Sequence, residues 1–180
     1  CSVNLSNIDG LEELGEVTRI ATRMLDYGIE LTNNPDTITA DHNQLFRTIG
    51  VGQMGMHDYL AKNWSNYSDL TTIRAIAECI QYNAVLGSID LSERHGSFTA
   101  FPESRWANGE MIQRFKGFSS GAYDWDAAQD LINTYGIRNS QLTSPAPTTS
   151  TSIYQDASAS ELPVYSAFFS EDNKNGSLLV

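Results

Sequence analysis

The side chains best suited to chemistry in this chain are a hydroxyl run, two thiols, three imidazoles and a glycine pattern. The run is Thr148, Thr149, Ser150, Thr151 and Ser152, directly after Pro145-Ala146-Pro147. Successive hydroxyls can donate hydrogen bonds, and backbone N–H groups at a helix start can join them, which suits anionic phosphate oxygens. A plain polar loop has the same composition. Cys79 lies near the apolar face of a helical stretch, next to Ile76 and Ile80, as a buried structural thiol would. Cys1 precedes the polar stretch Ser2 to Asn7 and is by its surroundings a free thiol without an assigned role. His42, His57 and His95 share no metal-ligand spacing and no acidic pair suggests a cage, so no metal site is expected. No local motif suggests a Ser-His-Asp or Cys-His arrangement either.

Gly50-Val-Gly52-Gln-Met-Gly55 matches the dinucleotide-binding glycine pattern and follows a short apolar stretch. A nucleotide-cofactor fold would then need a second strand ending on an acidic residue within a unit of about 30 residues. Asp69 falls at the right distance but opens a helical pattern. Tight helix–strand packing therefore accounts for the glycines better than a cofactor does.

These residues need a scaffold, and the periodicity supplies one. Leu14, Val17, Ile20, Ala21, Met24, Leu25 and Ile29 recur at helical spacing and predict a helix from about Leu11 to Leu31, with Asp9 or Gly10 near its start. Asn33, Asn34 and Pro35 stop it. A short helix is expected from Thr39, as a cap, to Phe46. Arg47 to Val51 reads as a short buried strand, followed by a helix from about Met54 to Lys62. Ser68 opens a long helix that Gly96 ends. Ser97 to Gly121 is rich in loop signals. Asp124 caps a helix ending at Tyr135, and Ile137–Thr143 and Pro163–Phe169 read as strands. Helices alternating with short strands imply a mostly parallel α/β arrangement. Too few strands are visible to close a barrel. No linker divides residues 1–180, which form a single segment.

The 180 residues carry 22 acidic and 11 basic side chains, a net charge of −11, with 41 % hydrophobic residues. Such a balance argues against nucleic acid as a partner, because phosphates need a basic stripe, and against docking on anionic lipid. No apolar run approaches the roughly 18 residues of a membrane helix, and Cys1 to Gly10 have no signal-peptide character. Two cysteines indicate no disulfide framework, so a reducing, cytoplasmic setting is expected. The chain opens on Cys1 and closes on the apolar run Leu178, Leu179 and Val180, which reads as a strand cut short. Both ends look like cuts in something longer, from a split gene, from splicing or from trimming.

Six blocks, in order, resemble the large-subunit barrel of ribonucleotide reductases. Cys1-Ser-Val-Asn-Leu-Ser-Asn7-Ile8 is similar to that family's Cys-x-Leu-x-x-x-Asn-Leu stretch, with Val3 for the leucine. Thr18-Arg-Ile-Ala-Thr-Arg-Met-Leu-Asp26 is similar to the helix that follows. Arg47-Thr-Ile-Gly-Val-Gly-Gln-Met-Gly55 matches an Arg-x-(Ile/Leu)-Gly-(Leu/Val)-Gly-x-Met-Gly block. Glu93-Arg-His-Gly96 through Phe101-Pro-Glu-Ser104 resembles a family turn with one extra residue, His95. Tyr135-Gly-Ile-Arg-Asn-Ser140 and Leu142 resemble a family strand, and Pro147-Thr-Thr-Ser-Thr-Ser152 resembles its phosphate loop. The likeness is strongest over residues 1–152 and fades after Ser160.

The resemblance implies a part of a ten-stranded α/β barrel and an oxidoreductase that replaces the ribose 2′-hydroxyl with hydrogen. In that family a thiyl radical removes the 3′-hydrogen, and a cysteine pair then supplies electrons and becomes a disulfide. By position, Cys1 matches one member of that pair, and Pro147, Thr148, Thr149, Ser150, Thr151 and Ser152 match the loop holding the ribonucleotide phosphates. The thiyl cysteine and the second redox cysteine lie upstream of Cys1 in the family, so this chain alone is not expected to reduce nucleotides. Its implied partners are the remaining segments of the large subunit and a radical-generating small subunit. No cofactor is implied within the segment. The radical source is a metal-containing small subunit or adenosylcobalamin. The alternative is a non-catalytic interaction or relic domain that keeps the barrel half without its chemistry.

Overall fold

The computed structural model describes residues 1–166, 170–173 and 176–179. Its scaffold is a pair of long crossed helices. α1 spans Leu11–Leu31, and its buried positions Leu14, Thr18, Ala21, Thr22 and Asp26 follow the three-to-four spacing of one helix face. It starts at Gly10 and ends where the Thr32 N–H and hydroxyl both reach the Gly28 carbonyl. α4 spans Leu70–His95 and is buried on nearly all sides, from Ile76 to Ser92. It packs against α1 on one flank and α6, Trp125–Tyr135, on another. The crossing with α1 is close. A Cβ on Gly15 would lie 2.8 Å from Asn83 Nδ2.

The expected stop of α4 and both ends of α6 hold, because they depend on local caps. α4 begins at Leu70 and not at Ser68, because Asp69 is its cap: its carboxylate accepts from the Thr72 hydroxyl and from the Thr72 N–H at 3.1 Å, and these bonds lower its pKa. Gly96 closes α4 at φ 79°, and Asp124 caps α6 through the Ala127 N–H. α2 begins two residues earlier than expected, at Thr37, because Asp36 and not Thr39 is the cap: the Asp36 side chain accepts from the Thr39 N–H at 2.7 Å. α3, Met56–Lys62, begins two residues later than expected, after a left-handed Gly55.

The strands differ more from expectation. β1, Ser2–Asn4, pairs in parallel with β2, Gly52–Met54, in the register Ser2 to Gly52 and Asn4 to Met54. The expected strand Arg47–Val51 is not a ladder strand. Arg47 is the left-handed C-cap of α2 at φ 43°, and only Val51 forms an isolated parallel bridge, to Thr143. The expected strand Ile137–Thr143 is also not regular. Its backbone groups go to varied partners: the Arg138 N–H donates to Ser88 O and the Ser140 N–H to Phe46 O, while Ile137 O accepts from Phe98, Gln141 O from Ile49 and Leu142 O from Val51. The sheet that positions the site is thus two strands plus one bridge, and the described residues do not close a ten-stranded barrel. Residues 163–166 form no strand, and 167–169 lie outside the described residues. Leu178 and Leu179, expected as part of a strand, fall in β4, Gly176–Leu179, but β3, Ser170–Asn173, and the antiparallel hairpin it forms with β4 were not foreseen. Neither was α5, Glu110–Lys116, inside the loop-rich stretch, where Gly109 at φ 78° starts a helix that buries Ile112.

Two hydrophobic clusters divide the core along α4. Its first half, with Ile76 and Ile80, meets Val3, Leu5, Leu14, Val51 and Leu60. Its second half, with Val85 and Ile89, meets Phe98, Trp106, Trp125, Ile132 and Leu142. No helix among the described residues is long and apolar enough to cross a membrane.

Candidate active site

Cys1 sits level with Val51 across the parallel pair. Its backbone nitrogen donates to Gly50 O at 3.0 Å, and its carbonyl accepts from the Gly52 N–H at 2.8 Å. Its thiol is exposed and lines an open cleft of about 590 Å³ with Met24, Gly28, Thr48, Gln141 and Ser144.

The hydroxyl run is not wholly a loop. Thr148 is left-handed at φ 50°, and Thr149–Tyr154 form the single-turn helix α7. The hydroxyls fall into two groups. Thr148 Oγ1 accepts from the Ser160 N–H at 2.8 Å, and the buried Ser152 donates to Thr149 O at 3.1 Å, so these two hold the turn's shape. Thr149, Ser150 and Thr151 are exposed, and their hydroxyls bond to no described residue. Pro147, also exposed, leads into the turn.

α7 is docked over the carboxyl ends of β1 and β2. Asn4 Nδ2 donates to Gln155 O at 3.2 Å, and the Gly55 N–H donates to Ser158 O at 2.8 Å. The Ser158 N–H in turn donates to the Asp58 carboxylate at 2.6 Å. Ligands of parallel α/β sheets bind outside the carboxyl ends of the strands. From the level of Val51, where Cys1 lies, to that of Gly55 is four strand residues, roughly 13 Å. Cys1 and the hydroxyl turn therefore sit toward opposite ends of one strand pair.

The glycine pattern is explained by the approach of the segment leading into this turn. A Cβ on Gly50 would lie 2.9 Å from Ser144 Cβ, and one on Gly52 would lie 2.8 Å from Ser144 O. One on Gly55 would lie 2.9 Å from Asn4 Oδ1. The close neighbour is thus the 144–146 backbone and β1, not a helix as expected. The Gly55 N–H is already spent on Ser158 O, and Asp69 is a helix cap and not a strand end, so a dinucleotide site has no place here.

Beneath Gly50 lies a charged network that the sequence reading missed. Arg47 and Asp26 are each 1 % exposed at the side chain and pair at 3.0 Å. Asn139 Nδ2 donates to the same Asp26 oxygen at 2.8 Å and to Arg47 O at 3.0 Å. Glu30 bridges Arg47 at 2.6 Å and Arg138 at 3.1 Å, and Ser88 donates to Asn139 Oδ1 at 2.8 Å. Buried charge is stable only when paired and hydrogen-bonded in this way. Asp26 continues the buried face of Thr18 and Thr22 at four-residue spacing, and an acidic residue on that face was the available signal.

None of the other singled-out residues hydrogen-bonds to Cys1 or to the hydroxyl turn, and His57 Nδ1 accepts from the Val164 N–H at 3.4 Å. Cys79 is buried and donates its S–H to Leu11 O; burial raises its pKa, as befits an inert structural thiol. Ring contacts pair His42 with Phe46, His57 with Tyr67 and His95 with Tyr27.

Comparison with known proteins agrees with the sequence resemblance. The model of the family described as ribonucleotide reductase, barrel domain, matches residues 1–180. The ribonucleoside-diphosphate reductase subunit alpha of a Synechocystis species is 43 % identical over 173 residues, which cover 93 % of this chain and 22 % of that protein. The Treponema pallidum subunit alpha is 35 % identical, over 96 % of this chain and 21 % of its own length. A Variola virus ribonucleoside-diphosphate reductase large subunit is 31 % identical, over 83 % of this chain and 20 % of its own length. The chain spans about a fifth of the length of these relatives.

Proposed function

The chain belongs to the ribonucleotide reductase barrel-domain family, and from that premise we propose that it is a working part of a reductase large subunit that converts ribonucleotides to deoxyribonucleotides. Within it, the turn from Pro147 to Ser152 holds the substrate phosphates, and Cys1 is one member of the redox pair. The observation that carries this proposal is the placement of α7 over the carboxyl ends of β1 and β2, with three unpaired hydroxyls facing outward and the Cys1 thiol exposed at the start of the same strand pair.

The residues divide the work. Thr148 and Ser152 fix the turn, while Thr149, Ser150 and Thr151 and the first N–H groups of α7 donate to phosphate oxygens. A thiyl radical supplied from outside this chain takes the 3′-hydrogen. Cys1 and a second thiol, also outside it, then give up two electrons and two protons. The 2′-hydroxyl leaves as water and hydrogen takes its place, the pair closes to a disulfide, and the thiol that took the 3′-hydrogen returns it and becomes the thiyl radical again. The rest of the barrel, ten-stranded when complete, comes from the remaining large-subunit segments. The radical originates in a metal-containing small subunit or at adenosylcobalamin.

The test is performed on the intact subunit that contains this chain. Cys1→Ser is expected to abolish catalytic turnover while leaving substrate binding intact. Thr149→Ala with Ser150→Ala is expected to weaken ribonucleotide binding by roughly tenfold or more, from the loss of two bonds to a charged group. Full turnover in Cys1→Ser would instead favour a non-catalytic domain that keeps the fold without the chemistry.

A further inference from the structure

A second cavity, of about 370 Å³, opens between α4, the α5–α6 region and β2, on residues the reductase reading does not use. Val51, Ile80 and Pro145 give it apolar lining, and the rings of Phe115, Phe118 and Trp125 line it as well. Phe115 and Trp125 pack with ring centroids 5.2 Å apart, and Trp125 is only 3 % exposed, whereas Phe118 is 77 % exposed. Glu78 holds Trp125 and the segment after Phe118 in place. Its carboxylate accepts from the Ser119 hydroxyl, from the Ser120 hydroxyl and N–H, and from Trp125 Nε1 at 3.0 Å. Burial raises the Glu78 pKa, but these hydrogen bonds outweigh it and leave the group below its ordinary value. Its acceptor capacity is thus committed to the protein.

Other lining residues keep free donors. Gln81 Oε1 accepts from the Thr143 hydroxyl at 2.7 Å, which turns its Nε2 away as an unused donor. The half-buried Gln53 amide and the Arg74 guanidinium have no partner among the described residues. Small-molecule sites combine such a volume and apolar lining with a few convergent polar groups. Adjacent acceptors on a flat ring are what a guanidinium fork recognises, as at the O6/N7 edge of guanine, and a free amide NH2 donates to a single ring acceptor. Glu78 and Glu161 both line the cavity against Arg74 alone, which disfavours an anionic ligand.

We propose that this cavity binds an uncharged, planar heteroaromatic molecule of about nucleobase size, stacked on Phe118 with its acceptor edge toward Gln81, Gln53 and Arg74. The site is independent of the roles given to Cys1 and the Pro147–Ser152 turn. Guanosine is the probe, titrated calorimetrically into the intact subunit that contains this chain, with 7-deazaguanosine as the analogue lacking one acceptor. Phe118→Ala and Gln81→Leu are each expected to weaken guanosine roughly tenfold or more. The deaza analogue is expected to bind more weakly than guanosine to the unaltered protein. Phe118 is exposed, so its variant should keep its melting temperature, which separates a lost contact from a lost fold. Absence of binding at millimolar guanosine overturns the proposal. So does binding that ignores both substitutions and is displaced by a ribonucleotide, since that ligand would occupy the substrate site.

Discussion

Asp26→Ala tests how strongly the buried charges hold the floor of the site. In the native chain, Asp26 Oδ1 takes Arg47 Nε at 3.0 Å and Asn139 Nδ2 at 2.8 Å, and Oδ2 lies 3.5 Å from Arg138 Nε. Removing the carboxylate strands the Arg47 guanidinium at 1 % exposure, with Glu30 as its remaining carboxylate at 2.6 Å. Glu30 is 46 % exposed and solvent-screened, so it compensates only in part. Breaking one half of a buried pair costs about 3–5 kcal/mol. Because Asn139 is anchored to the same oxygen, the loss falls on α1 and on residues 139–144, which run under Gly50 and beside Cys1. Hydrogen exchange read by mass spectrometry in the intact subunit measures this locally. At 1.4 kcal/mol per decade, amides of α1 and of 139–144 should exchange roughly two to three and a half orders of magnitude faster. Glu30→Ala, at the rim, should cost about 1 kcal/mol or less. Replacing both Asp26 by Leu and Arg47 by Met should be milder than Asp26→Ala, because no charge is then left buried and unpaired. Acceleration of less than tenfold in Asp26→Ala would refute the account of the network as an anchor.

Two further outcomes follow from the geometry. Gly52→Ala places a methyl 2.8 Å from Ser144 O and 3.2 Å from Pro145 Cα, both backbone, and is expected to destabilise by about 1–3 kcal/mol in the same exchange measurement; an unchanged rate would mean that the 144–146 segment moves freely. Glu78 has a folded pKa below its ordinary 4.5, so its stabilisation is complete above that value and is lost as pH falls through the lower folded pKa. Protection of Ser119–Ala122 should therefore drop in acid in the native protein but stay nearly level over the same range in Glu78→Gln, and parallel pH profiles for the two would refute the clamp.

Helices were legible in the sequence because what starts, stops and faces them lies within a few residues. The apolar spacing of Leu14 to Ile29, the Asp124 cap and the Gly96 and Gly136 stops needed no distant partner. α5 escaped because Pro102, Gly109, Gly117 and Gly121 read as loop, although Gly109 serves as its left-handed start. The strands were less legible. The stretch around Ile137–Thr143 has a strand's composition, but its backbone bonds are divided among Ser88, Phe46, Phe98 and the Ile49–Val51 segment, and composition does not report such partners.

The hydroxyl run, the free thiol of Cys1 and the family resemblance were fixed by residue type and order alone, whereas the exposure of Cys1 came from the structure. Tertiary structure decided which hydroxyls are spent on shaping the turn, that α7 caps the carboxyl ends of β1 and β2, and that the three glycines make room for Ser144 and Asn4. It also joined Asp26, Arg47 and Asn139, which come from three separate sequence blocks, into one buried ion cluster. The physical reason is separation along the chain. Periodicity and caps act over one helical turn, whereas the Asn139–Asp26 bond spans 113 residues and the Asn4–Gln155 bond 151, so these contacts exist only once the core has brought their elements together.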